Sequence, residues 1–169
     1  MQFIRNLVIP LLVLIMTFYV FYNIRGQKHT LPTVVNTVSV YFVKADKIGK
    51  ITLVPVLRKV NPKEKTLNIA ITELLKKPSL EEKKAGYFTE IPPNTHLLGI
   101  EESAGKIVIN LSRDFESGGG STSMGMRLNQ LIYTTLDSVK KKAVYLELDG
   151  KKVEYIGGEG VEVPQPLSK

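Results

Sequence analysis

The residues best placed to do chemistry lie in one run, Asn110 to Leu136, NLSRDFESGGGSTSMGMRLNQLIYTTL. Gly118, Gly119 and Gly120, followed by Ser121, Thr122 and Ser123, stand between a strand-like stretch and a helical pattern. That is where a phosphate-binding loop would sit. A Walker A loop needs a lysine to reach the phosphates and a hydroxyl for the metal; SGGGSTSMGMR has no lysine at that place. A dinucleotide loop needs G-x-G-x-x-G, and position 123 is serine. A nucleophile elbow, G-x-S-x-G, fails at its first glycine, because the residues around Ser123 read STSMG. The remaining expectation is a structural one: Gly118, Gly119 and Gly120 turn the chain into a helix, and Ser121 or Thr122 satisfies its first free N–H groups.

Other reactive side chains are scattered. His29 and His96 are far apart in sequence, without a convincing serine or aspartate companion, and do not suggest a metal site. Carboxylates occur as Asp114/Glu116, Glu101/Glu102 and Glu81/Glu82. Such acids usually cap helices or face solvent, and no activated nucleophile or base accompanies them. The expectation is therefore a non-enzyme with no cofactor and no metal. There is no cysteine, which excludes a disulfide framework and a thiolate zinc site. A GXXG match, Gly157-Gly158-Glu159-Gly160, carries an acid and follows the last strand, unlike the clamp of a KH module. Nucleic acid is disfavoured as a partner. The net charge of +7 reflects lysine clusters such as Lys140-Lys141-Lys142, which read as a solvated surface.

The elements that must position these residues follow from periodicity. Val38–Ala45 and Ile51–Val60 have strand composition, and Pro55 marks the second as an edge or a bulge. Asn61, Pro62 and Glu64 form a helix start. Leu67, Ala70, Ile71, Leu74 and Leu75 recur at helical spacing, Lys76 and Lys77 complement the last carbonyls, and Pro78 ends the helix. A long connection leads to a hairpin, HLLGIEE and KIVINLS around SAG. A second helix runs from about Gly119 to Asp137, with Met124, Leu128, Leu131, Ile132, Thr135 and Val139 on one stripe. A further hairpin turns at Asp149-Gly150. The order β-β-α-β-β-α-β-β predicts an α+β fold, a mixed sheet with two helices packed on one face.

Leu7 to Ile24 is almost wholly apolar. As a helix it would be about 27 Å long, close to a hydrocarbon core of about 30 Å. No A-x-A site follows, so an uncleaved transmembrane anchor is expected rather than a signal peptide. The expected organisation is a flank at 1–6, the anchor at 7–24, a linker at 25–36 and a domain at 37–169. Arg5 before the span and Arg25 and Lys28 after it leave its orientation open.

Several runs, in order, carry a family resemblance. LVPVLRKV, with Pro55 and Arg58, precedes a helix ending ITELLKKPS, with Leu74, Leu75 and Pro78. IPPNTHLLGI, VINLSRDF, the Gly-Ser start of a helix and DGKKVEYIGGEGVEVPQPLS follow. Over about 38–168 the chain resembles the GerM-type (GerMN) domain of sporulation and spore germination. The resemblance implies an anchored domain on the cell membrane facing out of the cytoplasm, a fold like that of ring-building domains, and no catalytic residues. It implies a role in envelope protein assembly or binding, with envelope proteins or other copies of the chain as partners. Arg113, Asp114 and Glu116 are the candidate partner-contact patch. The alternative is a peptidoglycan-acting or glycan-binding protein using Asp114 and Glu116 beside a groove.

Overall fold

A computed structural model of the chain describes residues 14–22, 36–60, 66–139 and 142–169. Residues 14–22 are helical (α1), with exposed apolar side chains such as Leu14 and Phe18. They belong to a unit, 1–34, separate from the compact unit 35–169.

The expected membrane anchor requires correction. No helix among the described residues is long and apolar enough to cross a membrane. A span needs about 20 residues, whereas α1 is described over nine. The expectation rests on the apolar run Leu7–Ile24, of which residues 14–22 are described. The remainder of 7–24, the flank 1–6 and the linker up to residue 35 lie outside the described residues. The transmembrane helix, the signal-anchor, the single-pass membrane location with an extracytoplasmic domain, and the membrane as a partner lose their support together.

The compact unit begins with β1 (Asn36–Ala45) and β2 (Ile51–Val60), antiparallel and in register from Asn36↔Val60 to Ala45↔Ile51. β3 (Tyr87–Phe88) joins the other side of β1 at Val43 and Lys44, giving the order β2-β1-β3. Pro55 thus lies on an edge strand, where its missing N–H is tolerated. A second sheet, β4-β5-β6-β7, contains the hairpin β4 (Leu97–Ser103) and β5 (Lys106–Leu111), then β6 (Ala143–Leu148) and the short β7 (Lys151–Lys152). β5 and β6 are parallel. Such a pair needs a crossover, and α4 (Ser121–Ser138) supplies it. β8 (Tyr155–Ile156) and β9 (Val161–Glu162) form a small ribbon in the tail that sequence leaves irregular.

The expected single mixed sheet is therefore also corrected: among the described residues there are two sheets and a ribbon. α2 (Thr66–Leu75) and α4 share one core with both sheets, which holds Val40, Phe42, Ile71, Leu74, Leu131, Ile109 and Leu146. Beyond Val43, α4 rather than a strand meets the open side of β1. Tyr41 N–H donates to Thr134 Oγ1 (3.0 Å), and Gln130 Nε2 donates to the Tyr41 carbonyl (3.0 Å). These polar side chains, both fully buried, stop the sheet from growing there.

The connection after α2 contains an unexpected helix, α3 (Leu80–Lys84), started by a complete capping box of Ser79 and Glu82. Arg58 of β2 ties it to α2. Its guanidinium donates to the carbonyls of Glu73 and Lys77 and to the carboxylates of Glu73 (2.9 Å) and Glu82 (2.6 Å). Arg58, not Lys76 or Lys77, is thus the cation on the terminal carbonyls of α2; Lys76 pairs with the Glu73 side chain instead. The expected helix start at Asn61, Pro62 and Glu64 lies outside the described residues.

Candidate functional site

The glycine run is shaped by two left-handed residues, Gly118 (φ +65°) and Gly119 (φ +79°). A Cβ on Gly119 would fall 2.7 Å from Ser123 Oγ, so both backbone and space require glycine there. Gly120 is the N-cap of α4, extended and without a side-chain cap.

The anion at this helix start is internal. Ser121 N–H donates to Glu159 Oε2 at 2.9 Å, and the Ser121 hydroxyl donates to the same oxygen. Glu159 reaches it from the turn Gly157–Gly160, closed by Gly160 N–H to the Gly157 carbonyl. The GXXG sequence thus presents a carboxylate to a helix N-terminus, where negative charge is favoured. The hydrogen bonds from Ser121 hold Glu159 below the usual carboxylate range. Ser121 was expected to accept from the helix; it donates instead, and Glu159 is the cap.

Behind the loop lies Arg127, 2% exposed, which sequence reading passed over. It donates to the carbonyls of Phe115 (2.8 Å), Ser117 (3.1 Å) and Gly118 (2.9 Å), and to Ser123 Oγ (3.0 Å). Burial lowers its pKa, opposed by the charge of Glu90. Ser123 Oγ in turn donates to Glu90 Oε2 at 2.6 Å. The one sequence signal was a charged residue four positions after Ser123, on the same side of the helix. With the Phe115, Ser117 and Gly118 carbonyls held by Arg127 and the Ser121 N–H held by Glu159, the loop is a braced turn.

Arg113, Asp114 and Glu116 lie together on a 3-10 turn, Arg113–Glu116, whose Phe115 is fully buried. Arg113 pairs with Glu116 (2.7 Å), and its N–H donates to Asp149 Oδ1 (3.1 Å). Asp114 accepts from Ser112 Oγ at 3.1 Å. The two carboxylates are held by different neighbours rather than opposed across a cleft. Neither lines the two grooves beside α2: one of 450 Å³ toward Pro93–Leu97, the other of 320 Å³ toward the end of α4. His96 is exposed, and its backbone exchanges hydrogen bonds with Ser112. His29 lies outside the described residues. Among the described residues no cluster of histidine and carboxylates could hold a metal ion.

Comparison with known proteins gives two consistent findings. The family model "Germane: Sporulation and spore germination" matches residues 39–154. The tandem GerMN domains of the sporulation protein GerM from Bacillus subtilis superimpose with a TM-score of 0.62 at 20% identity, over 85% of this chain and 49% of that one. The chain thus spans about half the length of the tandem structure. The first GerMN domain of that protein gives 0.61 at 17% identity, over 79% of this chain and 98% of that one. No curated protein matches the sequence.

Proposed function

The chain belongs to the Germane family of sporulation and spore germination, and from that premise we propose that it is a non-enzymatic protein-interaction module that helps assemble cell-envelope proteins. The observation that supports this most is the extent of the family match. Residues 39–154 take in both long strands, both core helices and the second sheet. The build of the domain agrees with a binding role. Its glycine loop is braced by Arg127 and Glu159, which makes a stiff scaffold on which other surfaces can bind. Arg113, Asp114 and Glu116 remain a candidate contact patch, with Arg113 exposed at the end of β5.

The experiment is chemical cross-linking of the tagged full chain in its native cells, with identification of the adducts. A small set of envelope proteins, or adducts between copies, is the expected result. Adducts no different from those of an unrelated tagged protein would overturn the reading.

A further inference from the structure

β2 has β1 on one side and, among the described residues, no strand on the other. Such an edge is a template for a second strand, and a long apolar one invites pairing between copies. From Ile51 to Leu57 the strand reads ITLVPVL, without a charge, and Leu57 is 69% exposed. Arg58 is engaged by Glu73 and Glu82, and Lys59 comes only at the end of the strand. The hydrogen-bond phase of the hairpin decides which groups of β2 face the open edge. In an antiparallel pair, opposite residues either exchange both main-chain bonds or direct both groups away from each other. Tyr41 stands opposite Pro55. Its N–H donates to Thr134 and its carbonyl accepts from Gln130, both on α4. The Tyr41–Pro55 pair is therefore of the second kind, and the nitrogen and carbonyl of Pro55 point to the open edge. The register is unbroken along the hairpin, so the main-chain groups of Leu53 and Leu57, two residues to either side, point the same way.

A second copy laid antiparallel on this edge, with the twofold axis at Pro55, sets Leu53 of each copy against Leu57 of the other and Lys59 against Ile51. These contacts are apolar and bring no like charges together. The two residues at position 55 meet at the centre, where a pair of this kind exchanges two N–H···O bonds. Proline has no N–H and supplies neither. Every antiparallel register that covers Pro55 asks it for the same missing donor. We propose that Pro55 bars a second copy of this chain from pairing along β2, and so keeps an apolar edge from edge-to-edge assembly. Because its nitrogen faces away from β1, proline does this without removing a bond from the hairpin. The inference goes beyond the interaction-module reading and does not depend on it: it names a surface that association between copies does not use.

The test is amide hydrogen exchange of the full chain over a range of protein concentrations, with sedimentation velocity alongside, for the parent and Pro55→Val. The substitution adds an outward N–H and leaves the ladder to β1 intact. Self-association should tighten by at least about tenfold, as expected for two added hydrogen bonds. The amides of Leu53 and Leu57 should exchange more slowly as the concentration of the variant rises, and at a constant rate in the parent. Pro55→Thr repeats the test with a polar side chain that also suits a strand. Lys59→Val adds the same side chain to the same strand but keeps Pro55, and should behave as the parent does. Association of both position-55 variants no tighter than that of the parent would overturn the proposal. So would association of Lys59→Val equal to that of Pro55→Val, or concentration-dependent protection of Leu53 and Leu57 in the parent. Dimers of the position-55 variants that leave Leu53 and Leu57 exchanging at the parent rate would overturn it as well.

Discussion

The side-chain amide of Gln130 donates to the carbonyl of Tyr41 at 3.0 Å, so a helix residue completes the backbone bonding of a strand. The same amide oxygen accepts from Glu90 N–H at 2.9 Å, joining β1, the segment before Ile91 and α4 at one buried point. Gln130→Leu would leave the Tyr41 carbonyl and the Glu90 N–H unpaired. At about 1–3 kcal/mol for each stranded group, a loss of about 2–6 kcal/mol is expected. Urea unfolding checks it; a midpoint within error of the parent would show that the helix does not close the strand.

Tyr41 also donates to Asp137 Oδ2 at 2.5 Å. This hydrogen bond, with burial and the charge of Asp137, raises the tyrosine from 10.0 to about 12. The folded state holds the phenol proton more tightly than the unfolded chain. The stability so gained is complete below pH 10.0 and is lost as pH rises through about 12. Tyr41→Phe should flatten the fall in stability over that range. Ultraviolet titration of the parent should show one late phenolate that the variant lacks.

Arg58 holds α2 and α3 through four hydrogen bonds that a single ammonium cannot reproduce. Arg58→Lys should destabilise by about 1–3 kcal/mol in thermal melts. Burial tends to raise the pKa of Glu73, but hydrogen bonds from Lys76 and Arg58 outweigh it, and the pKa lies below 4.5. The stability this carries is present above pH 4.5 and is lost as pH falls through the depressed folded value. The difference between parent and Arg58→Lys should therefore shrink in acid. A constant difference from pH 7 downward would show that Glu73 does not report on the clamp.

The three adjacent glycines should respond differently to alanine. Gly119→Ala combines φ +79° with a contact of 2.7 Å to Ser123 Oγ and should cost about 2–4 kcal/mol. Gly118→Ala meets open space at φ +65° and should cost about 1–2 kcal/mol. Gly120, extended and with its nearest contact at 3.9 Å, should tolerate alanine best. Chemical denaturation of the three variants gives the order, and equal effects would contradict the geometry.

Glu159→Gln keeps the shape of the cap on α4 but removes its charge. The melting temperature should fall at low salt, and the gap to the parent should narrow as salt rises. A gap independent of salt would mean that the charge of Glu159 does not matter to the helix.

Local pattern made the elements legible. Ile51–Val60 was read with its observed bounds, and the stripe from Met124 to Thr135 is the buried side of α4. The missing N–H of Pro55 predicts an edge or a bulge, and the structure has the edge. These features depend on neighbours a few residues apart, which sequence displays directly. Within the same local range, α3 was missed although Ser79 and Glu82 spelled its capping box, because the intervening turn held no apolar stripe to flag it.

What sequence could not convey was which distant groups meet. Glu159 lies 38 residues from Ser121, and Gln130 lies 89 from Tyr41, yet each supplies a bond that the local chain lacks. Sequence therefore reads the glycine run as a turn that starts a helix, and only the fold shows that Glu159 supplies its cap. β1 looked like a member of a larger sheet, until α4 proved to occupy its open side. Periodicity identifies the face a side chain presents, whereas its partner depends on how the chain closes in three dimensions. Arg127 and Gln130 make the point most sharply: polar residues on a buried helix face read as exceptions in the sequence, and in the fold they satisfy backbone groups contributed by other segments.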